Sequence, residues 1–187
     1  MAAAVPAFFE DGYAAASIER IAARAGVSKV TVYNHFGDKR GLFVAAVEAE
    51  CGRMESYFSI AERPFTSCHD HLEAIGHAMV AFLSRPEMTQ FERRIAAETV
   101  HDPEIGAAFL AAGPHRMKTA LARVLAKLNV DGQLAIDDPD LAAEQFASLC
   151  KGMGDLERRF GHAGPPARDR ERVVSATRLF CRAYAPR

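Results

Sequence analysis

The pattern that most restricts the fold of this chain lies between Ser17 and Phe36. Its first half follows a serine that can cap a helix and repeats apolar residues on one helix face. These residues are Ile18, Ile21, Ala22 and Ala25. Gly26 ends this helix, and Ser28 can cap a second one. The sequence therefore predicts two short helices joined by a tight turn.

The second helix has an inner and an outer face. Val32 and Phe36 lie four residues apart on the inner face, and Val27 is expected to pack against them from the turn. The outer face carries no acid and consists of Lys29, Val30, Thr31, Tyr33, Asn34 and His35. A glycine-containing turn before a helix with hydrogen-bonding side chains is typical of the helix-turn-helix, whose second helix enters the DNA major groove.

A third helix is predicted to follow directly. Asp38 can cap it, and Lys39 lies beside the exposed amides of its first turn, which together favour a phosphate. Residues 17–43 hold five bases and two acids, a net charge of +3, whereas the whole chain has a net charge of −1. The overall charge alone would not have indicated nucleic acid.

The run FFEDGYAAASIERIAARAGVSKVTVYNHFGDKRGLF resembles the DNA-binding domain of the TetR family of transcriptional regulators, with a match over residues 3–47. The resemblance implies that one group of side chains holds DNA phosphates, namely Ser17, Ser28, Tyr33, His35 and Lys39. It implies that a second group meets base edges, namely Lys29, Val30, Thr31 and Asn34. Asparagine can pair with adenine, lysine can donate to guanine, and valine offers methyl groups to thymine. Val30 departs from the family, which often has Gly or Pro there.

A helix is also predicted before this run. It should start close to Val5, because Pro6 is tolerated only in a first turn, and it should end at Gly12. Phe8 and Phe9 are expected to pack on the helices that follow. The resembled family usually has a longer first helix after a basic arm, so we expect either a protein without that arm or a truncated N-terminus.

The rest of the chain is predicted to be helical, because strand signals are essentially absent and Pro and Gly mark regular breaks. The predicted helices cover residues 39–58, 69–84, 88–100, 103–112, 115–129, 139–160 and 168–184. We therefore expect an all-α protein with two domains. Residues 1–47 would form a three-helix helix-turn-helix domain, and residues 48–187 a helical ligand-binding and dimerisation domain.

Residues 93–146 carry a second resemblance. They are similar to the C-terminal domain of the AefR-like subgroup of the TetR family, above all in AAETVHDPEIGAAF and IDDPDLAAEQF. The resemblance supports a regulatory C-terminal domain.

The last two helices carry apolar stripes that can pair with a second copy. The first stripe has the 4, 3, 4, 3, 4 spacing of a coiled coil and consists of Ala142, Phe146, Leu149, Met153, Leu156 and Phe160. The second consists of Val173, Thr177, Phe180 and Tyr184. Because a helix-turn-helix protein reads two half-sites as a dimer, we predict a homodimer with a four-helix interface. The alternative is that both stripes are intramolecular core.

A small-molecule effector is expected to bind the C-terminal domain. A ligand that favours a different spacing of the two recognition helices would weaken DNA binding. Glu98 or Gln145 could supply polar contacts, and the apolar candidates are Met79, Phe82, Phe91, Ile95, Met117, Leu121 and Phe146. The alternative is that each is plain core, and these residues do not identify the molecule.

The sequence contains no phosphate loop and no nucleophile elbow. Glu98 with His101, or Asp137 with Asp138, could act as acid and base, but positions at helix ends explain them more simply. The Arg-rich residues 158–187 could form a second nucleic-acid surface, but acids interleave with the bases as on a solvated helix face. We expect no catalysis and no cofactor.

The cysteines indicate a cytoplasmic protein. Cys51, Cys68, Cys150 and Cys181 are widely separated and are interpreted as reduced thiols. The run of residues 68–71, CHDH, matches no zinc spacing, and helix capping by Ser67 or Asp70 explains it, so no metal is expected. Neither a signal peptide nor a membrane span is predicted.

Two functions remain open at this stage. The first is a dimeric repressor that a small molecule releases from a near-palindromic DNA operator. The second is an all-helical small-molecule binding protein or enzyme that keeps the helix-turn-helix as a scaffold. The effector, the operator sequence and the choice between repression and activation do not follow from the residues.

Overall fold

The structure is a computed structural model that describes residues 1–58 and 67–186. Every regular element in these ranges is an α-helix, which confirms the predicted all-α class. The helices are α1 Ala4–Ala15, α2 Ile18–Ala25, α3 Lys29–Phe36, α4 Lys39–Phe58, α5 Cys68–Leu83, α6 Pro86–Glu98, α7 Pro103–Ala112, α8 Pro114–Val130, α9 Pro139–Arg159 and α10 Pro166–Ala183. Several of them begin on a proline, because a first helical residue needs no N–H donor.

Helix α1 begins near Val5 with Pro6 in its first turn, as predicted. Gly12 interrupts its helical backbone, with φ of 82° and ψ of 179°. The predicted end of the helix at Gly12 coincides with this break, after which the chain resumes helical geometry as far as Ala15.

Side chains and glycines define the two short helices that follow. The Ser17 hydroxyl accepts a hydrogen bond from the N–H of Arg20, and the Ser28 hydroxyl accepts one from the N–H of Thr31. Gly26 ends α2 in the left-handed conformation, with φ of 69°. These contacts satisfy backbone groups that have no partner within a helix, and they confirm the predicted caps.

The turn between α2 and α3 differs from the prediction at one residue. Val27 is 43% exposed, so it does not pack under α3 as expected. Val32 is buried, whereas Phe36 is only partly buried. The predicted cap of α4 is present, because Asp38 Oδ1 accepts the N–H of Gly41 at 2.7 Å.

The described residues form two compact units. The first comprises Met1–Arg53 and Pro86–Arg116, and the second comprises Met54–Arg85 and Met117–Arg187. The sequence assigned α6 and α7 to the C-terminal domain, whereas in the structure they pack with the N-terminal helices. The compact units therefore do not follow the predicted domain boundary after residue 47. That boundary stays a prediction about which residues bind DNA and which regulate.

Aromatic side chains build the core of the first unit. Phe9 stacks on Phe91 of α6 with ring centroids 4.1 Å apart, and Phe8 meets Phe43 of α4 edge to face at 5.4 Å. Phe91 and Ile95 are buried in the first unit. Most of the other predicted pocket residues belong to the second unit. Helix α6 thus completes the core on which α1 rests.

The core of the second unit contains half of the predicted dimer stripes. Ala142, Phe146, Val173, Thr177 and Phe180 are all buried within their own chain. The rings of Phe146 and Phe180 meet edge to face at 5.1 Å. For these five residues the structure agrees with the alternative of intramolecular core.

The predicted uninterrupted seam of α9 is wrong. Gly152 has φ of 48° and ψ of −155°, which breaks the helical phase inside α9. The buried face of α9 instead follows Ala142, Phe146, Cys150 and Gly154, four residues apart. The remaining members of the stripe are exposed, namely Leu149, Met153, Leu156 and Phe160. Met153 is 63% exposed and Phe160 is 75% exposed.

Helices α5 and α10 approach closely at a glycine. A Cβ atom on Gly76 would lie 2.8 Å from Val173 Cγ1 and 3.2 Å from Cys150 Sγ. Val173 and Cys150 are fully buried and have little room to move. A side chain at Gly76 would therefore strain the core of the second unit.

We expect Gly76→Ala to lower the free energy of unfolding by roughly 1–2 kcal/mol, because overpacking costs about 1–3 kcal/mol and the helix propensity of alanine offsets up to about 1 kcal/mol. Urea unfolding followed by circular dichroism measures the change. Gly52→Ala is the matched control, since a Cβ at that position in α4 meets nothing within 4 Å. It should stabilise the protein, and equal effects of the two substitutions would contradict the packing argument.

Candidate nucleic-acid interface

The outer face of α3 is open to solvent. Val30 is 65% exposed, and Lys29, Thr31, Asn34 and His35 are exposed as well. The inner side of the helix is buried through Val32, and the Ser28 cap fixes its first turn. The backbone that carries the outer side chains is therefore well ordered. All four predicted base-contacting residues are therefore accessible on one short helix.

The ammonium of Lys29 already has a partner in the structure. It pairs with Glu19 of α2 and lies 5.5 Å from the centroid of the Tyr33 ring. Ser17 donates its hydroxyl to the other Glu19 oxygen at 3.0 Å. The hydrogen bond from Lys29 lowers the pKa of Glu19 to about 2 and raises the pKa of Lys29. Glu19 thus holds two residues that were predicted to contact DNA.

Lys39 also has defined contacts. Its ammonium donates to the carbonyl of Ala14 at 2.9 Å and lies 4.9 Å from the centroid of the Tyr13 ring. Burial lowers the pKa of Lys39, and the nearby charges of Glu98 and Glu19 oppose that shift. The predicted phosphate ligand is therefore held close to the end of α1.

Arg40 is a charged residue of this surface whose partners the sequence did not predict. Its guanidinium pairs with Glu104 of α7, and a second nitrogen lies 3.7 Å from Asp102 Oδ2. These acids are more than 60 residues away in the chain. In the sequence these acids stand out only as the Asp-Pro-Glu start of α7. Nothing in that pattern indicated Arg40 as their partner.

The remaining predicted phosphate ligands contact their own neighbours. The Ser28 hydroxyl lies 2.9 Å from the hydroxyl of Thr31. His35 meets the ring of Phe36 edge to face at 4.6 Å. The nine residues predicted to touch DNA all lie between the end of α1 and the start of α4. Among them, Lys29 contacts Tyr33, and Ser17 contacts Glu19, which is not one of the nine.

The predicted ligand-pocket residues divide between the two compact units. Met79, Leu121 and Phe146 are buried in the second unit, and Phe82 and Met117 pack against the same core. Gln145 is exposed and accepts the Tyr184 hydroxyl at 2.6 Å.

Glu98 belongs to the first unit, as Phe91 and Ile95 do. Its Oε2 atom accepts the N–H of Ala14 at 3.1 Å. The structure therefore places this predicted polar pocket contact at the end of α1, where its carboxylate binds backbone.

Other features of the described chain bear on further predictions. An open groove runs along α10 and is lined by Ala167, Arg170, Glu171, Val174, Ser175 and Arg178, none of them a predicted pocket residue. Ser67 caps α5 by accepting the N–H of Asp70 at 3.1 Å, as expected for the CHDH run. In residues 1–58 and 67–186 no helix is long and apolar enough to cross a membrane.

We expect Glu19→Gln to increase affinity for a random-sequence DNA duplex by roughly three- to tenfold at low salt, because it removes the carboxylate that competes with phosphates for Lys29. Fluorescence anisotropy with a labelled duplex measures the change. Glu10→Gln removes the same charge from the exposed face of α1 and serves as the control. An equal gain in both variants would mean that net charge alone is responsible.

Comparison with known families agrees with this geometry. Residues 1–46 match the family described as bacterial regulatory proteins, tetR family. Residues 70–186 match the AefR-like transcriptional repressor C-terminal domain. Both resemblances found in the sequence are confirmed.

Two curated relatives match part of the chain. The transcriptional activator FasR of Mycolicibacterium smegmatis is 36% identical over 81 residues, which are 43% of this chain and 37% of FasR. The transcriptional repressor AcnR of Corynebacterium glutamicum is 36% identical over 52 residues, 28% of each chain. The chain thus spans only about a third of the length of these curated relatives, 37% of FasR and 28% of AcnR.

Solved structures match the whole chain. A TetR-family transcriptional regulator from Mesorhizobium loti has a TM-score of 0.81 and 29% identity, with 98% of this chain and 94% of that chain covered. The flavonoid-responsive regulator FrrA has a TM-score of 0.76 and 29% identity, with 100% and 95% covered. The chain therefore belongs to the TetR family of bacterial regulatory proteins, whose members are DNA-binding transcriptional regulators, and it carries an AefR-like C-terminal domain.

Proposed function

We propose that this chain is a homodimeric transcriptional repressor that binds a near-palindromic DNA operator and leaves it when a small molecule binds. The observation that carries the proposal is the outer face of α3, which is exposed, free of acids and fixed by the Ser28 cap. Such a face has the size and chemistry to enter a major groove. The nine predicted residues would make the contacts: Ser17, Ser28, Tyr33, His35 and Lys39 to phosphates, and Lys29, Val30, Thr31 and Asn34 to bases.

The dimer follows from the geometry of DNA. Two recognition helices must be about 34–36 Å apart to enter successive major grooves, which a single helix-turn-helix cannot achieve. The exposed apolar residues Leu149, Met153, Leu156 and Phe160 on α9 offer a surface for the second copy. Tyr184 remains partly accessible just after α10, whereas Val173, Thr177 and Phe180 are buried within their own chain.

The effector is proposed to bind in the second unit. The candidate contacts there are Met79, Leu121 and Phe146, which belong to the buried apolar core of that unit, and Phe82 and Met117, which pack against it. One structural relative is described as flavonoid-responsive. Planar aromatic compounds such as flavonoids are therefore the first class to test.

Repression is proposed rather than activation. The C-terminal match is described as a repressor domain, and AcnR is a repressor, although FasR is an activator. We propose that the chain has no catalytic activity of its own and acts in the cytoplasm, where its operator would lie. The alternative is a small-molecule binding protein or enzyme that retains the helix-turn-helix as a scaffold.

A selection on random duplexes tests DNA recognition. We expect enrichment of a near-palindrome, and binding that weakens steeply with salt because phosphate contacts release counterions. Changing Tyr33 and Lys39 together to Ala should remove two phosphate contacts per protomer, and because only the lysine carries a charge the salt slope should fall by about 2 per dimer. Unaltered binding by this double variant would refute the assigned contacts. Failure to enrich any sequence, with retention of a small molecule, would favour the scaffold alternative.

We expect Met153→Glu to shift the protein from dimer to monomer, because the dimer would bury a carboxylate from each copy without a partner. Dissociation should increase at least about tenfold, as measured by size-exclusion chromatography with light scattering. Val130→Glu is the matched control, since Val130 is 85% exposed at the end of α8 and outside the proposed interface. If Met153→Glu remained as dimeric as the control, the α9 surface would not be the interface.

A further inference from the structure

We propose that Glu98, the last residue of α6, is a positioning residue for DNA binding, because it fixes the ammonium of Lys39 through the backbone of Ala14. The inference rests on the proposed function, since the position of Lys39 matters only if Lys39 contacts a phosphate. Every contact in the argument lies within the first compact unit.

The contact starts at the break in α1. Gly12 has a φ of 82°, which other residues rarely adopt, and the interruption leaves nearby peptide groups in need of partners. Glu98 Oε2 accepts the N–H of Ala14 at 3.1 Å. Its other oxygen lies directly over Gly12, where an added Cβ would be 2.6 Å away. The carboxylate therefore fits against backbone that only glycine leaves open.

The same peptide segment continues to Lys39. The carbonyl of Ala14 accepts the Lys39 ammonium at 2.9 Å, and the Tyr13 ring lies beneath that ammonium at 4.9 Å. Glu98 accepts a hydrogen bond from the N–H of Ala14, and Lys39 donates one to the carbonyl of Ala14. The backbone of Ala14 therefore connects two side chains that do not touch. The negative charge of Glu98 also opposes the lowering of the Lys39 pKa by burial.

Packing keeps Glu98 in place. One turn earlier in α6, Arg94 donates to the carbonyl of Phe9 at 2.7 Å. Phe9 in turn stacks on Phe91, and Ile95 is buried between these positions in the helix. The end of α6 is thus attached to α1 by a polar and an aromatic contact before Glu98 is reached.

The consequence for DNA binding is entropic. A lysine side chain that is already restricted loses less conformational freedom when it meets a phosphate. Once the bond to Ala14 is lost, the N–H of Ala14 and the ammonium of Lys39 are free to sample other positions. DNA affinity should then fall although no residue of the DNA-contacting face has changed.

Two substitutions of opposite character test the proposal on the duplex obtained by selection. Glu98→Gln keeps the length and an oxygen acceptor but removes the charge, so affinity should stay within about twofold of the unmodified protein. Glu98→Asp keeps the charge but shortens the side chain, so it should weaken binding by roughly five- to tenfold. It should also lower the salt slope by about 2 per dimer, one phosphate contact for each copy.

A double-variant cycle with Lys39→Ala separates positioning from general damage. If Glu98 acts through Lys39, Glu98→Asp should add little to the loss caused by Lys39→Ala. Gln90→Ala, at an exposed position of the same helix, is the matched control and should bind like the unmodified protein. Circular dichroism melting confirms that each variant is folded.

Several results would overturn the inference. Glu98→Asp could bind normally while Lys39→Ala binds weakly, or it could weaken binding equally with and without Lys39. A loss for Glu98→Gln together with normal binding by Glu98→Asp would mean that charge, not the hydrogen bond, is responsible. Absence of any effect of Lys39→Ala would instead contradict the proposed phosphate contact, and absence of a selected duplex would contradict the proposed function.

Discussion

The stacking of Phe9 on Phe91 is the contact on which the first compact unit depends. Three helices of 8 to 12 residues bury too little apolar surface to be stable alone, so α4 and α6 supply the missing core. Phe43 and Phe91 are fully buried in this arrangement. The helix-turn-helix is therefore a surface built on helices from two distant parts of the chain, and the end of α6 comes to lie beside Ala14.

The basic residues of this surface are restrained before DNA arrives. Lys29 is paired with Glu19, Lys39 with the carbonyl of Ala14, and Arg40 with Glu104. A phosphate proposed to bind Lys29 would compete with the carboxylate of Glu19, which reduces the net gain from that contact. The bond from Lys39 to the neutral carbonyl of Ala14 restricts the ammonium without a competing charge. Such competition is a physical means of limiting non-specific binding in a protein whose net charge is −1.

The second unit buries only part of the apolar stripe of α9. Its buried positions Phe146, Cys150 and Gly154 are four residues apart, so that Phe146 faces the core while Met153 faces solvent. Gly76 permits the close approach of α5 to Val173 and Cys150, which leaves the inner faces of α9 and α10 fully used within one chain. The exposed apolar residues that remain are fewer than the sequence predicted, and they lie on the second half of α9.

The sequence by itself determined the helices, their caps and the outer face of α3, because capping serines, Gly26 and apolar periodicity act over a few residues. It could not determine that Glu98 binds the end of α1 or that Arg40 pairs with Glu104. Those contacts join residues far apart in the chain, and no local propensity records them. It also placed Gly152 inside one uninterrupted helix, whereas in the structure Gly152 has a φ of 48° and interrupts α9. Local chemistry thus set the recognition helix, whereas tertiary packing decided which side chains hold its charges and which remain exposed.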